Sequence, residues 1–165
     1  MWKSDSTPLV SVVVPNYNYA RYLEQRITSI LNQTFTNFEL ILLDDASTDN
    51  SSDVLERYRK NIHVTHIEYN EKNTGSPFQQ WMKGIRLAKG KYVWIAEADD
   101  CAEPDFLETC VRYAEKEKDT AICYAGSYLF DAEGNVSRKD VNHWGSRSKK
   151  GIASFPGVDY VVHNL

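Results

Sequence analysis

Short β-branched runs alternate with longer segments of helical period, which predicts an α/β domain: a three-layer α/β/α sandwich on a mostly parallel sheet. Two further observations agree. Val10-Ser11-Val12-Val13-Val14 is apolar nearly throughout, as in a strand covered on both faces. Acidic or Asn-rich residues follow three of the runs, where a parallel sheet would present its carboxyl edge.

The elements follow in order. Strand one is Val10 to Val14, stopped by Pro15. Leu23, Ile27, Ile30 and Leu31 form one stripe of a helix ending near Asn32. Phe38 to Leu43 is strand two, closed by Asp44-Asp45. Ser47 to Ser52 is rich in capping side chains and precedes Val54, Leu55 and Tyr58, which predicts a second helix. Val64 to Tyr69 is strand three, followed by a polar turn from Asn70 to Gly75. Phe78, Trp81, Ile85 and Ala88 mark the apolar face of a third helix, ended by Gly90 in a left-handed C′ position. Tyr92 to Ala96 is strand four and runs into Glu97-Ala98-Asp99-Asp100. Pro104 opens a helix with Phe106, Leu107, Cys110, Val111 and Ala114 on its apolar side. A fifth strand, Ala121 to Phe130, leads to the turn Asp131 to Asn135. Beyond it the periodicity fails: Val136 to Gly157 reads as a long surface loop, and Val158 to Leu165 as the start of another element.

Composition bounds what this domain can do. With 165 residues, 42% apolar and 25% charged, the chain is one globular domain, not a collagenous or disordered one. The net charge, 19 − 23 = −4, gives no basic excess for nucleic acid, so no nucleic-acid partner is expected. Cys101, Cys110 and Cys123 are odd in number and form no CxxC pair, so reduced thiols are expected. No apolar run is long enough to span a membrane, and the start lacks the apolar core of a signal peptide. A cytoplasmic location is expected, extending to the inner face of the membrane.

The strand ends carry the chemistry. Pro15-Asn16-Tyr17-Asn18, Asp44-Asp45 and Glu97-Ala98-Asp99-Asp100 should share one rim. Carboxylates gathered there repel one another unless a cation or hydrogen-bond donors neutralise them. A hard divalent ion, Mg2+ or Mn2+, held by one or two carboxylates together with phosphate oxygens meets that demand. No GxGxxG follows strand one and no GxxxxGK[ST] occurs, so neither a dinucleotide fingerprint nor a P-loop is available to hold phosphate. Tyr17 offers a flat face for a base, and Asp45 could accept an imide N–H, favouring uracil or thymine over adenine. Each piece alone also suits an ordinary turn or helix cap; their joint placement at successive strand ends is the signal.

In order along the chain, VSVVVPNYN to Asn18, ILNQTF from Ile30, FELILLDDASTDNS from Phe38, NTG at Asn73 to Gly75 and GIRLAKGKYVWIAEADD from Gly84 resemble the inverting nucleotide-sugar glycosyltransferases of family 2, of GT-A fold. The resemblance covers about Pro8 to Asn135. It implies sugar transfer from a nucleotide-diphosphate donor, a UDP-sugar, to a saccharide or lipid-linked acceptor hydroxyl, with inversion and metal assistance. Pro15, Tyr17 and Asn18 would line the nucleoside pocket and Asp45 would bind the base edge. Gly75 would begin the segment near the donor phosphates. Asp99 and Asp100 match the acidic DxD-type motif that meets the donor and the metal. Residues 9–135 would be the nucleotide-sugar-binding part, preceded by a tail at 1–8. Residues 136–165 would be a mobile loop and the start of an acceptor-binding part.

The sequence departs from the family pattern in places. Gln80, Trp81 and Met82 stand where members often carry a small residue, Arg and Asn, so Lys83 or Arg86 would have to supply the missing cation. Glu97 replaces the first DxD acid. No general base is evident, since Asp131, Glu133 and Asp159 read as surface residues; the chain is expected to be the donor half of a longer enzyme whose base lies past Leu165. His63 and His66 should point to opposite faces of a strand, and His143 and His163 are expected to be solvated. Arg138, Arg147, Lys149 and Lys150 read as a solvated loop, with contact to donor phosphate or to an anionic membrane holding a lipid-linked acceptor as the sharper readings. The competing functions are a nucleotide-sugar-binding module without chemistry and a sugar nucleotidyltransferase. The second lacks the Gly-rich basic loop that a triphosphate needs, because Pro15 to Arg21 contains no Gly. A phospho-acceptor receiver domain would need acids where Asn16 and Asn18 stand.

Overall fold

A computed structural model describes residues 7–117, 119–131 and 135–139. Two compact units divide the chain, Met1–Glu108 and Thr109–Leu165. In the first, β1 (Val10–Asn16), β2 (Phe38–Asp44), β3 (Val64–Tyr69) and β4 (Tyr92–Ile95) form a parallel sheet of order β3-β2-β1-β4. Between them lie α1 (Ala20–Leu31), α2 (Ser51–Glu56) and α3 (Pro77–Leu87). The expected α/β architecture is the observed one. β1 and β2 are buried at every position, which is why their sequences barely alternate.

Register separates the two faces of the sheet. Val13, Ile41 and Leu43 form a buried cluster against Leu87, Ala88 and Ile95, on the side where α3 lies. Val12 pairs with Trp94, and the Arg26 guanidinium of α1 sits 4.9 Å from the Trp94 ring centre, so α1 covers the opposite face. There Leu23, Ile27 and Ile30 are fully buried, as their spacing predicts.

The burial of α3 corrects the sequence reading. Phe78 and Ile85, expected in the core, are 63% and 44% exposed; the residues buried are Gln80 and Gly84. The reason is steric: a Cβ on Gly84 would lie 2.3 Å from Val13 Cγ1, so the helix rests on β1 through its glycine. Gly90 is corrected too. It is not left-handed; a Cβ there would come within 2.6 Å of the Ser11 amide nitrogen, so the glycine is needed for close approach. The amides of Lys89 and Gly90 donate to Ser11 Oγ, and Lys89 N–H also to Glu39. Glu39 is buried near the start of β2. Burial works against its charge, but donation from Ser11 Oγ, Lys89 N–H and Thr65 Oγ1, with the Lys89 charge, outweighs it and holds the carboxyl below its usual range.

Gln33 fixes the far end of α1. Its Nε2 donates to the Ser29 and Glu103 carbonyls, and its Oε1 accepts from Leu107 N–H at the start of α4 (Phe106–Lys116). Pro104 therefore precedes the helix by two residues, its carbonyl taken by Thr34 N–H, where the sequence had suggested that it opens the helix.

In the second unit the expected long fifth strand is not found. Only β5 (Tyr128–Phe130) is extended, and it pairs antiparallel with β6 (Val136–Lys139), a segment read as loop. Residues 121–130 are exposed throughout, so no burial extends the strand. The Asp131 carboxylate accepts from the N–H and Nδ2 of Asn135. Glu133, His143, Arg147, Lys149, Lys150, Asp159 and His163 lie outside the described residues, as does the tail at 1–6. Among the described residues, no helix is long and apolar enough to cross a membrane.

Candidate functional site

The carboxyl ends of β1, β2 and β4 open into one cavity of about 450 Å3. Its wall includes Pro15, Tyr17, Asp45, Gly75, Gln80 and Asp99. The strand order places it where the chain, having run outward from β1 to β3, returns to the other flank of β1 as β4.

Of the two adjacent aspartates, Asp44 braces the turn. Its Oδ1 accepts from Asn16 Nδ2 at 2.7 Å and its Oδ2 from Ser47 N–H at 2.9 Å. Asn18, predicted to line the pocket, braces as well: at φ 59° its side-chain oxygen accepts from Thr48 N–H and its own N–H donates to Ser47 Oγ. Asp49 ties the same loops, accepting from Ala20 N–H and from Ser51. Burial opposes its charge, yet these donors hold its carboxyl below the usual range.

Asp45 is 4% exposed and densely partnered. Oδ1 accepts from Asn70 Nδ2 (2.6 Å), Thr74 N–H (3.0 Å) and Gln80 Nε2 (2.8 Å). Oδ2 accepts from Thr74 Oγ1 (2.7 Å) and shares the Thr74 N–H. Lys83 extends the network: its Nζ donates to Asn70 Oδ1 at 2.8 Å and faces Glu68 at 3.6 Å. The turn from Asn70 to Ser76 is thereby strapped to the end of β2, with Gly75 at φ 68° letting it close. The sequence marked Asp45 but carried no sign of this strapping. Ala46, the next residue, is held left-handed at φ 59°, a conformation a Cβ disfavours.

The acidic motif divides its roles. Asp99 is exposed and borders the cavity together with Glu97. Glu97 Oε1 accepts from Trp81 Nε1 at 2.8 Å. Burial raises its pKa, the Trp81 bond opposes this, and Asp99 and Asp100 raise it further. Asp100 does not border the cavity; partial desolvation raises its pKa and the nearby Arg26 guanidinium opposes the rise. Arg26 is buried, with Nε and Nη1 unpartnered, and burial lowers its pKa against the pull of Asp100. Neither Lys83 nor Arg86 borders the cavity. His63 is structural: its Nδ1 lies 3.0 Å from the Phe38 carbonyl oxygen and its ring stacks on Phe38.

Among the described residues, no three His, Cys, Asp or Glu side chains converge to hold a metal by themselves. Asp99, with Glu97 or Asp100 beside it in sequence, can supply the one or two carboxylates that Mg2+ or Mn2+ takes when phosphate and water oxygens complete its shell.

The sequence and the fold both have relatives among known proteins. Residues 11–160 match the family model of Glycosyl transferase family 2. The chain is 37% identical over 128 residues to the glycosyltransferase GlyG of Streptococcus pneumoniae, covering 77% of this chain and 42% of that protein. It is 35% identical over 141 residues to TuaG of Bacillus subtilis, a putative teichuronic acid biosynthesis glycosyltransferase, covering 86% and 54%. The chain thus spans about half the length of these relatives or less. Among solved structures, TarS of Staphylococcus aureus in complex with UDP-GlcNAc superposes with a TM-score of 0.61 at 28% identity, over 65% of this chain and 31% of that one. The Pyrobaculum calidifontis mannosyltransferase PcManGT in complex with GDP-Man and Mn2+ gives 0.58 at 27% identity, over 67% and 33%.

Proposed function

Since the chain belongs to glycosyl transferase family 2, we propose that it binds a nucleotide-diphosphate sugar, a UDP-sugar, and contributes to transferring that sugar to an acceptor hydroxyl with inversion. The observation that carries this reading is the single cavity in which Tyr17, a flat surface for a base, and Asp99, a free carboxylate, border one space at the sheet's carboxyl edge. Its volume lies in the range of small-molecule sites. The superposed TarS complexes with UDP and UDP-GlcNAc support uracil as the base.

Pro15 and Tyr17 would hold the nucleoside, and Gly75 would let the 70–76 turn approach the phosphates. Asp99, with Glu97 or Asp100, would hold Mn2+ or Mg2+, which when bound supplies positive charge to the leaving diphosphate. In the transfer, the acceptor oxygen bonds to the anomeric carbon on the face opposite the donor phosphate. The carbon–oxygen bond to the β-phosphate breaks, its electron pair leaves with UDP, and the hydroxyl proton passes to a general base. The acceptor would be a saccharide or a lipid-linked saccharide at the inner face of the membrane.

Calorimetric titration with UDP, with and without Mn2+, tests the reading. Binding that Mn2+ strengthens and Asp99→Ala uncouples from the metal is expected. UDP binding indifferent to both Mn2+ and Asp99→Ala refutes the site.

A further inference from the structure

Helix α3 is turned inside out relative to an ordinary surface helix. Its buried residues are Gln80 and Gly84, while Phe78, Met82 and Ile85, spaced i, i+4 and i+7 along the opposite side, are exposed. The Phe78 ring is held edge-on against Trp81, with 4.9 Å between ring centres. β4 extends the patch. Val93 lies on the same side of that strand as Ile95, the side α3 covers, and is 40% exposed. Large apolar side chains gathered on one exposed face call for a partner.

Charge indicates which partner. From Pro77 to Ala96 the chain carries Lys83, Arg86, Lys89 and Lys91 and no acid, whereas the remaining residues total 15 − 23 = −8. Lys83 is engaged by Asn70 and Glu68. Arg86, Lys89 and Lys91 are exposed near and beyond the C-terminal end of the stripe, and none of them borders the cavity. A second copy docked through the same face would gather two sets of these cations in one interface. An anionic lipid surface accepts both features at once, since apolar side chains enter the acyl boundary while cations stay at the headgroups.

We propose that the outer face of α3, together with Val93, docks on an anionic lipid bilayer. The helix lies on the bilayer and does not cross it, because its 11 residues are about half of what a span needs. Ser76 and Pro77, at its N-terminal end, line the cavity, so docking brings one wall of the cavity to the lipid surface. The inference rests on the proposed function only for the purpose of docking, which is to present the donor site to a lipid-linked acceptor.

The test is sedimentation of the chain with vesicles of phosphatidylcholine alone and of phosphatidylcholine mixed with phosphatidylglycerol. The mixed vesicles should bind at least about tenfold more strongly, and added salt should weaken that binding. Arg86→Gln with Lys89→Gln should lower partition to the mixed vesicles about ten- to thirtyfold. Phe78→Ser with Met82→Ser should lower it by about tenfold or more. Both double variants should bind UDP with Mn2+ as the unmodified chain does. Should either fail to fold, the single change Met82→Glu, at a half-exposed position, decides in its place by abolishing vesicle binding. Equal binding to the two vesicle types, no binding to either, or binding that survives in the folded variants overturns the proposal. Self-association that Phe78→Ser with Met82→Ser removes, without vesicle binding, overturns it in favour of a second copy. If the vesicle results are as expected but UDP does not bind, the donor reading falls and the lipid contact stands.

Discussion

Replacing Asp45 separates anchoring from charge. In Asp45→Ala, Gln80 Nε2 stays buried without an acceptor, which costs about 1–3 kcal/mol. Thr74 N–H, half-buried, loses both carboxylate oxygens and adds about 1 kcal/mol. Asn70 Nδ2 and Thr74 Oγ1 can turn elsewhere, the latter to the Ser76 carbonyl it already approaches at 3.3 Å, and add little. The sum is about 2–4 kcal/mol, a large part of the roughly 5–15 kcal/mol that typically holds a domain together. Asp45→Asn behaves differently. Its amide can keep an oxygen toward Asn70, Gln80 and Thr74 N–H while its nitrogen donates to Thr74 Oγ1, at a cost of about 1 kcal/mol for the lost charge. Urea unfolding followed by tryptophan fluorescence should show a midpoint about 1–2 M lower for Asp45→Ala with an unchanged slope, and a much smaller shift for Asp45→Asn. Hydrogen exchange at Thr74 N–H should accelerate in Asp45→Ala. If Asp45→Ala unfolds within about 0.5 kcal/mol of the unmodified chain, or Asp45→Asn is equally damaging, the carboxylate is not the anchor of the 70–76 turn.

Three other outcomes are expected. Ala46→Gly should raise stability by about 0.5–1 kcal/mol in urea unfolding, because relief of the left-handed Cβ clash exceeds the added freedom of the unfolded chain; a loss would mean that Ala46 makes contacts worth more than its strain. Gly84→Ala should cost about 1–3 kcal/mol by forcing α3 off Val13, and Val13→Ala in the same chain should recover part of it; additive losses in the double variant would refute the clash. Glu39, whose folded pKa is depressed, adds stability that is fully present above the unfolded carboxyl value of about 4.3 and is lost as pH falls through the folded value. Denaturant midpoints measured from neutral pH downward should therefore fall less steeply in Glu39→Gln over that acid window, and parallel curves would contradict it.

The sheet was readable because β1 and β2 are covered on both faces and their composition leaves no other reading. The helices were harder. The stripe Phe78, Trp81, Ile85 does share one side of α3, but periodicity cannot show which side meets the sheet, and the deciding feature was the space available beside Val13. Glu39 was invisible because its three donors come from β1, β3 and the turn before β4, far apart in sequence. For the same reason the rim residues were nameable before their duties were: Asp44 and Asp45, or Asp99 and Asp100, are alike as letters and differ only in their neighbours.

The strand order also sets when a nascent chain could first hold a ligand. The cavity wall begins at Pro15 and ends at Asp99, and its last side is supplied by β4, which docks on β1 only after β2, β3 and three helices have emerged. A ribosome-bound chain halted before Asp99 clears the exit tunnel has the flat face of Tyr17 but lacks the side formed by Glu97, Ala98 and Asp99. Acquisition of nucleotide affinity during synthesis would then report closure of the central sheet, since the β1–β4 pairing spans about eighty residues and is among the slowest contacts of the unit to form.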